Sequence, residues 1–386
     1  MPAAKVPSEA WTWWESLGAP RTVLAPMVGQ SERAFRHLSR RYGADLCVTP
    51  MVHARMFTTC DRYRKEVLAD LSGGSADRPL VVQLCGDDKD VVLAAATACA
   101  PFCDAVDLNL GCPQGIAKRG HYGAFLLTEP DLVCAIISHL SRNLPVPVTA
   151  KIRLLDRHDP APTIALAARI IESGASALTL HGRTKEMRAH AVDECCWPVI
   201  RQVFDALDRS VPLLANGGME SHADLAACLE ATGADAAMSS EGALEDPTIF
   251  SGARAPPLDL ADQYLALAEE NSPVLADARG HFHKLLFELV QAPGRETFRS
   301  RLVEAKDWAA FKAILADLRA DAGAEEAARP RDPKLSWYRR HRRAAADAAA
   351  RADAEAAEAA RRRADPTDNE DAGVAGLFGG GDDDDY

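Results

Sequence analysis

A cysteine that directly follows a predicted strand is the first residue of this chain whose setting suggests chemistry. The segment DLNLGCPQ, residues 107–114, reads as a buried strand ending in a turn, and Cys112 stands in that turn. A thiol near its ordinary pKa of about 8.5 is mostly protonated at neutral pH and can act as a general acid. A thiol with a lowered pKa is a nucleophile. The local sequence leaves both roles open for Cys112.

Polar side chains also end other predicted strands. Lys151 stands late in the strand VTAKIRL, and His181 and Arg183 follow the strand ALTL. A buried lysine is costly unless it meets an anion or an electron-rich ring. For Lys151 we therefore favour contact with a ligand over an ion pair with an acidic residue at the rim of the barrel. Arg183 offers paired donors suited to a phosphate or a carbonyl edge. His181 taken alone fits a polar strand cap equally well.

Two glycine-containing turns follow the last predicted strands. They are ANGG at 215–218 and SSEG at 239–242. Such turns expose backbone N–H groups, and the loops after the last two strands of a (β/α)₈ barrel are the usual phosphate site of that fold. Two ordinary tight turns are the alternative, but their joint position favours phosphate.

The segment after Cys112 is glycine-rich and basic. Residues 115–127, GIAKRGHYGAFLL, contain three glycines together with Lys118, Arg119 and His121. A mobile basic loop beside a reactive thiol would suit a polyanionic substrate, but the local run taken alone favours a solvated surface loop.

The elements that position these residues read as alternating strands and helices. Eight such units favour a (β/α)₈ barrel over a doubly wound sheet, because the runs are apolar throughout, as in parallel strands covered on both faces. One connecting helix is predicted to begin after a Ser31 cap. The predicted strands span 22–27, 46–50, 80–86, 105–111, 146–154, 177–182, 212–218 and 236–242.

The pattern changes along the chain, so we divide it into four parts. Residues 1–20 are an N-terminal extension, 21–257 the barrel, 258–322 a helical domain without strands, and 323–386 a basic, then acidic, largely disordered tail. The net charge of −12 argues against a nucleic-acid partner at first sight. Eight acids and no lysine or arginine lie in 365–386, however, whereas 329–343 has seven basic residues and one acid. A local basic surface is therefore compatible with the composition.

The same survey bounds location and cofactor class. We find no signal peptide and no apolar run of membrane-spanning length, so we expect a cytoplasmic or nuclear protein with reduced cysteines. The ten cysteines follow no metal-ligand spacing, so no metal site is predicted. Nothing in the sequence indicates an obligate protein partner.

Taken together, the motifs resemble the tRNA-dihydrouridine synthases, and most closely the eukaryotic branch that acts on uridines 16 and 17 of the D-loop. The resemblance covers roughly residues 11–320 and is most specific in NLGCPQ with AKRGHYGAFL. It is also carried by VLAPMVGQSERAFR, QLCG, KIR, HGRT, ANGGM and MSSEG.

The resemblance implies an FMN-binding barrel, a helical domain that binds tRNA, and reduction of the uridine C5–C6 bond with NADPH or NADH. It implies that Cys112 protonates C5 after hydride from flavin N5 reaches C6. It implies that Asn109 and Arg183 orient flavin or uracil, and Lys118, Arg119 and Arg153 complete the predicted substrate-binding set. The implied FMN-binding residues are Pro26, Met27, Val28, Gln83, Lys151, His181, Asn216, Gly217, Gly218, Ser240 and Glu241.

Two other functions remain open at this stage. An FMN-barrel oxidoreductase acting on a small pyrimidine-like molecule would explain a flavin site, but not the helical domain or the basic loop. An RNA-binding protein with a vestigial barrel would leave Cys112, Lys151 and His181 without a purpose. For the C-terminal part, we hypothesise that 329–343 adds phosphate contacts and that the acidic tail is dispensable.

Overall fold

The structure, a computed structural model, describes residues 8–187, 194–271 and 273–331. All of them belong to one unit, residues 1–342, and a second unit begins at Arg343. The tail predicted from residue 323 is described only as far as residue 331, and its first residues are not disordered, because 323–327 belong to the last helix. The remainder of the predicted tail, and the basic segment beyond residue 331, lie outside the described residues.

Eight parallel strands close into a barrel, which confirms the predicted fold class. β1 pairs with both β2 and β9, whereas a doubly wound sheet would leave two open edges. β2 continues to β4, and β3 is an additional two-residue strand beside β4 that the sequence did not reveal. The strands are β1 Thr22–Leu24, β2 Leu46–Val48, β3 Val52–His53, β4 Leu80–Cys85, β5 Ala105–Leu110, β6 Val148–Arg153, β7 Ala177–His181, β8 Leu213–Asn216 and β9 Ala236–Ser239.

Helices cover the outside of the barrel and make up the region that follows it. α1 precedes the first strand, α2 to α10 connect the strands, α11 follows the last strand, and α12 to α16 form the helical region. They are α1 Glu9–Ser16, α2 Arg33–Arg41, α3 Ala54–Thr59, α4 Asp61–Leu71, α5 Lys89–Cys99, α6 Gly115–Arg119, α7 Pro130–Asn143, α8 Ala161–Glu172, α9 Trp197–Ala206, α10 His222–Thr232, α11 Glu241–Glu245, α12 Pro257–Asn271, α13 Leu275–Leu285, α14 Phe287–Val290, α15 Glu296–Glu304 and α16 Trp308–Ala327.

The strands bury both of their faces, which explains their continuous apolar sequences. One set of alternate residues, including Val23, Val81 and Ala105, packs inside the barrel. The other set, including Val106 and Ile152, packs against the surrounding helices. Since side chains alternate along a strand, polar residues on the inward set must face the barrel interior.

The N-terminal helix closes the bottom of the barrel. Trp14 of α1 packs with the inward-facing strand residues and is 2% exposed. Trp13 Nε1 donates to the carbonyl of Asp104 at 3.1 Å, just before β5. Ser8 caps the helix by accepting from the backbone N–H of Trp11. Solvent therefore reaches the interior from the other end, where the strands finish.

The helical region packs on α2 through a buried polar cluster. Glu32 accepts from the Tyr264 hydroxyl at 2.8 Å and pairs with His281 Nε2 at 2.9 Å. Burial opposes the charge on Glu32, but His281 and Tyr264 outweigh it and lower the carboxyl pKa. Glu32, and not Ser31, occupies the cap position of α2, because the Ser31 hydroxyl accepts from the backbone N–H of Met27. The predicted serine cap was wrong.

Two expected absences can be compared with the described part of the chain. Within residues 8–187, 194–271 and 273–331, no helix combines the length and apolar character needed to cross a bilayer. In the same part of the chain, no three histidine, cysteine or acidic side chains come together as a metal-holding group.

Candidate active site

Strand register brings the predicted site residues together at the carboxyl end of the barrel. Asn109 on β5 lies opposite Lys151 on β6, and Lys151 lies opposite Thr179 on β7. One pleat further on, Arg153 lies opposite His181, and His181 lies opposite Asn216. Residues far apart in the sequence therefore share one surface, as the barrel prediction requires.

Cys112 stands on a turn that the chain fixes through its backbone. Its N–H donates to Asn109 Oδ1 at 3.0 Å, and its carbonyl accepts from the N–H of Ala124. Gly123 has φ +69°, and a Cβ there would lie 2.7 Å from the Cys112 carbonyl oxygen. By contrast, a Cβ at Gly111 would meet only ordinary contacts, so Gly123 is the glycine this turn requires. Cys112 itself is half-buried.

A row of hydrogen-bonded side chains runs beneath Cys112. Asn109 Nδ2 donates to Gln83 Oε1 at 2.6 Å, and Gln83 Nε2 donates to Asp107 Oδ2 at 2.8 Å. The Thr149 hydroxyl donates to Asp107 Oδ1 at 2.7 Å. Sequence reasoning assigned Gln83 and Asn109 but missed Asp107 and Thr149. The available signal was a carboxylate two residues before Asn109, on the same inward face of an otherwise apolar strand.

Positive charge is concentrated beside this row. Burial and the neighbouring Arg153 lower the pKa of Lys151 to about 7, although Asp107 opposes the shift. Burial and Arg183 lower the pKa of Arg153 to about 10. Arg153 Nε donates to the carbonyl of Gly111 at 2.6 Å, which ties β6 to the Cys112 turn. Neighbouring cations that lower the pKa values of Lys151 and Arg153 form a site that an anion would stabilise.

His181 is held as a neutral acceptor within the same cluster. Burial, followed by Arg153 and Lys151, lowers its pKa well below the ordinary value. Arg183 Nη1 lies 3.2 Å from His181 Nε2, and a guanidinium can only donate. His181 is thus more than a strand cap, because it joins the ends of β6 and β7 to Arg183.

A small cavity opens where β8 and β9 end. Arg183 lies on its wall. Gly217 has φ +99°, and a Cβ there would come within 2.8 Å of the His181 ring. The Ser239 hydroxyl, which sequence reasoning missed, is buried without a hydrogen-bond partner at this cavity. The predicted residues Gly217, Gly218, Ser240 and Glu241 also line it.

The other predicted cofactor residues lie at the same end of the barrel. Asn216 is buried, and its side-chain amide donates to the carbonyl of Met238 at 2.8 Å. Pro26 borders the barrel interior together with Lys151. Met27 is half-buried, whereas Val28 is 67% exposed at the mouth.

The predicted basic loop is partly a helix. Lys118 and Arg119 are exposed on α6, directly after the Cys112 turn. His121 bridges two acids, with Nδ1 at 2.9 Å from Asp87 and Nε2 at 2.7 Å from Glu129. Glu129 and Asp87 raise its pKa, so part of its positive charge is already matched within the protein.

The sequence of this chain matches a known family over most of its length. The family model described as "Dihydrouridine synthase (Dus)" matches residues 23–358. The tRNA-dihydrouridine(16/17) synthase [NAD(P)(+)] of Saccharomyces cerevisiae is 48% identical over 238 residues, covering 62% of this chain and 56% of the relative. The alignment therefore spans little more than half the length of that relative.

Two further relatives align over most of the chain. The mouse protein named tRNA-dihydrouridine(16/17) synthase [NAD(P)(+)]-like is 40% identical over 333 residues, covering 84% of this chain and 68% of the relative. The Schizosaccharomyces pombe tRNA-dihydrouridine(16/17) synthase [NAD(P)(+)] is 38% identical over 322 residues, covering 80% of this chain and 79% of the relative.

Proposed function

Because the chain belongs to the dihydrouridine synthase family, we propose that it reduces uridines 16 and 17 of the tRNA D-loop to 5,6-dihydrouridine, with FMN and NADPH or NADH. The observation that carries this proposal is the convergence of Cys112, Lys151 and His181 at one end of the barrel, beside the glycine-lined cavity. The names of the relatives support the choice of tRNA as substrate.

The residues present fit a bound FMN. A phosphate in the cavity would supply the partner that the buried Ser239 hydroxyl lacks, and Arg183 would meet its charge. Gly217 and Gly218 line the cavity, have positive φ angles and carry no Cβ that would cover their backbone N–H groups. Lys151 and His181 would hold the ring, and the buried ammonium would stabilise negative charge on it. The Gln83 amide is already engaged within the protein by Asn109 and Asp107.

When bound, FMN would supply the hydride that uracil takes up at C6, and NADPH or NADH would reduce the flavin again. Cys112 would donate the thiol proton to C5, and the resulting thiolate would recover a proton from solvent, so the net reaction consumes one hydride and one proton. The turn anchored on Asn109 would hold the thiol in place. Arg153 would orient the uracil edge through its fixed donors.

The target uridine must leave its stack to reach the mouth of the barrel, which favours a loop nucleotide. Lys118 and Arg119 lie next to the Cys112 turn, where they could contact the adjacent backbone phosphates. The helices α12 to α16 would carry the rest of the tRNA contact. Replacing Lys118 and Arg119 together by glutamate should weaken tRNA binding and reduce its salt dependence while FMN content stays unchanged.

The function is tested by mapping dihydrouridine on unmodified tRNA incubated with NADPH and purified protein. Wild type should produce it at positions 16 and 17, and Cys112→Ala should lose at least about a hundredfold in rate, as expected for a general acid. Cys134→Ala is the matched control, because Cys134 is also half-buried but lies on α7, outside the barrel mouth. Oxidation of NADPH with free pyrimidines but no dihydrouridine in tRNA would refute the proposal in favour of a small-molecule enzyme.

A further inference from the structure

Asp107 is a buried carboxylate inside the barrel to which the proposed chemistry gives no role. It is 4% exposed and accepts from Thr149 at 2.7 Å and from Gln83 at 2.8 Å. Burial raises its pKa to about 6, even though Thr149, Gln83 and Lys151 act in the opposite direction. A costly charged group kept in the interior calls for a reason beyond stability.

The row from Asp107 to the Cys112 turn has a fixed direction. The backbone N–H groups of Gly111 and Cys112 can only donate, and both point at Asn109 Oδ1. Asn109 must therefore turn its NH₂ group to Gln83, which accepts through Oε1. Gln83 is then left with its own NH₂ group facing residue 107, so that position has to supply an acceptor.

We propose that Asp107 is a positioning residue whose carboxylate fixes the amide orientation of Gln83 and Asn109, and through them the turn that carries Cys112. The inference rests on the proposed function and deepens it. It adds a residue inside the barrel, Asp107, to those that hold the Cys112 thiol in position. Gln83 and Asn109 are 1% and 8% exposed, so water offers little substitute for a lost partner.

Two substitutions separate orientation from charge. In Asp107→Asn, the new amide can keep its oxygen toward Gln83 and turn its NH₂ group to Thr149, whose hydroxyl can accept. The row then survives without the negative charge. In Gln83→Glu, two carboxyl groups face each other between residues 83 and 107, so the row is broken once both are ionised, above the pH at which the pair shares a proton. Combining both changes restores every link, because the amide introduced at position 107 donates to the carboxylate introduced at position 83, and that carboxylate still accepts from Asn109.

The experiment measures the rate of Cys112 alkylation by iodoacetamide, by mass spectrometry on the purified protein, with the half-buried Cys134 as internal reference. Dihydrouridine formation gives kcat and KM for the same variants. We expect D107N to stay within about threefold of wild type in both rates. At a pH high enough to ionise both carboxyl groups, Q83E should lose at least about tenfold in kcat and change the alkylation rate, and Q83E/D107N should recover both to within about threefold of D107N.

Two results would overturn the inference. If D107N alone falls as far as Q83E, the charge at position 107 matters and not the orientation of the amides. If Q83E/D107N is no better than Q83E, the row does not position the thiol. Should Q83E fail to fold, the double variant remains decisive, because its restored row must behave like D107N. A wild-type protein that forms no dihydrouridine would refute the proposed function. The alkylation rates would still test whether Asp107 positions the Cys112 turn.

Discussion

Replacing Lys151 by methionine should stabilise the FMN-free protein while removing its activity. Lys151 is 9% exposed, and its pKa falls from the ordinary 10.5 to about 7. At about 1.4 kcal/mol per pKa unit, that fall corresponds to about 5 kcal/mol of unfavourable free energy for the charged form in the folded state. At pH 7 about 4 kcal/mol of it remains, because half of the folded molecules carry the neutral amine.

Methionine has a similar length and no charge, so Lys151→Met removes this cost. Part of the gain is offset because Asp107 loses the cation that lowers its pKa. A net increase of about 2–4 kcal/mol in the free energy of unfolding is expected at pH 7, which for a chain of this size is roughly 2–5 °C in Tm. The pH dependence has a definite sign. Between pH 7 and 10.5 the unfolded lysine binds more protons than the folded one, so wild-type stability rises across this window and the advantage of the variant shrinks.

Thermal and urea unfolding of FMN-free protein at pH 7 and pH 10 would measure both effects. Lys312→Met is the matched control, since Lys312 is 58% exposed and pairs with Glu269 on the surface. It should change stability by no more than about 0.5 kcal/mol. The reasoning is refuted if Lys151→Met is no more stable than wild type at pH 7, or if its advantage does not diminish toward pH 10.

Three other substitutions test the packing around the site and beneath the barrel. Gly217→Ala should abolish FMN retention, read from the flavin absorbance of purified protein, because its φ is +99° and a Cβ would meet the His181 ring; retention of FMN would contradict this. Trp14→Ala should lower the free energy of unfolding, measured in urea, by about 3–5 kcal/mol, because it leaves a cavity where α1 closes the bottom of the barrel. A loss below about 1 kcal/mol would contradict this role of Trp14. Arg36→Met should cost about 3–5 kcal/mol by the same assay, since it leaves buried Asp77 without the guanidinium 2.6 Å away; a neutral result would show that Asp77 finds another partner.

The barrel could be predicted because its strands are buried on both faces and alternate regularly with helices. Each of the eight predicted runs contains a barrel strand. β3 was missed because two residues give no periodic pattern. The start of α2 was misplaced because Glu32 is held by Tyr264 and His281, more than 200 residues away. Local sequence cannot report a partner at that distance.

The site was predicted unevenly, and for a physical reason. Residues such as Lys151, whose polarity interrupts an apolar strand near its end, were found because parallel strands end at a common surface. Asp107 was missed because it stands deeper in its strand, where only the strand register shows that it meets Gln83 on one side and Thr149 on the other. The helix α6 was predicted as a loop, because glycine-rich composition hides the tertiary contacts that support it.

The cluster around Glu32 limits how this chain can be recombined with its relatives. Glu32 and Phe35 belong to the barrel side, yet their contacts are with Tyr264 and His281 of the helical region, and the Phe35 and His281 rings stack at 4.3 Å. A chimera that exchanges only α12 to α16 would leave the buried Glu32 carboxylate without Tyr264 and His281 as hydrogen-bond partners. The unit of exchange is therefore the helical region together with α2, and a grafting design has to cut the chain inside the barrel.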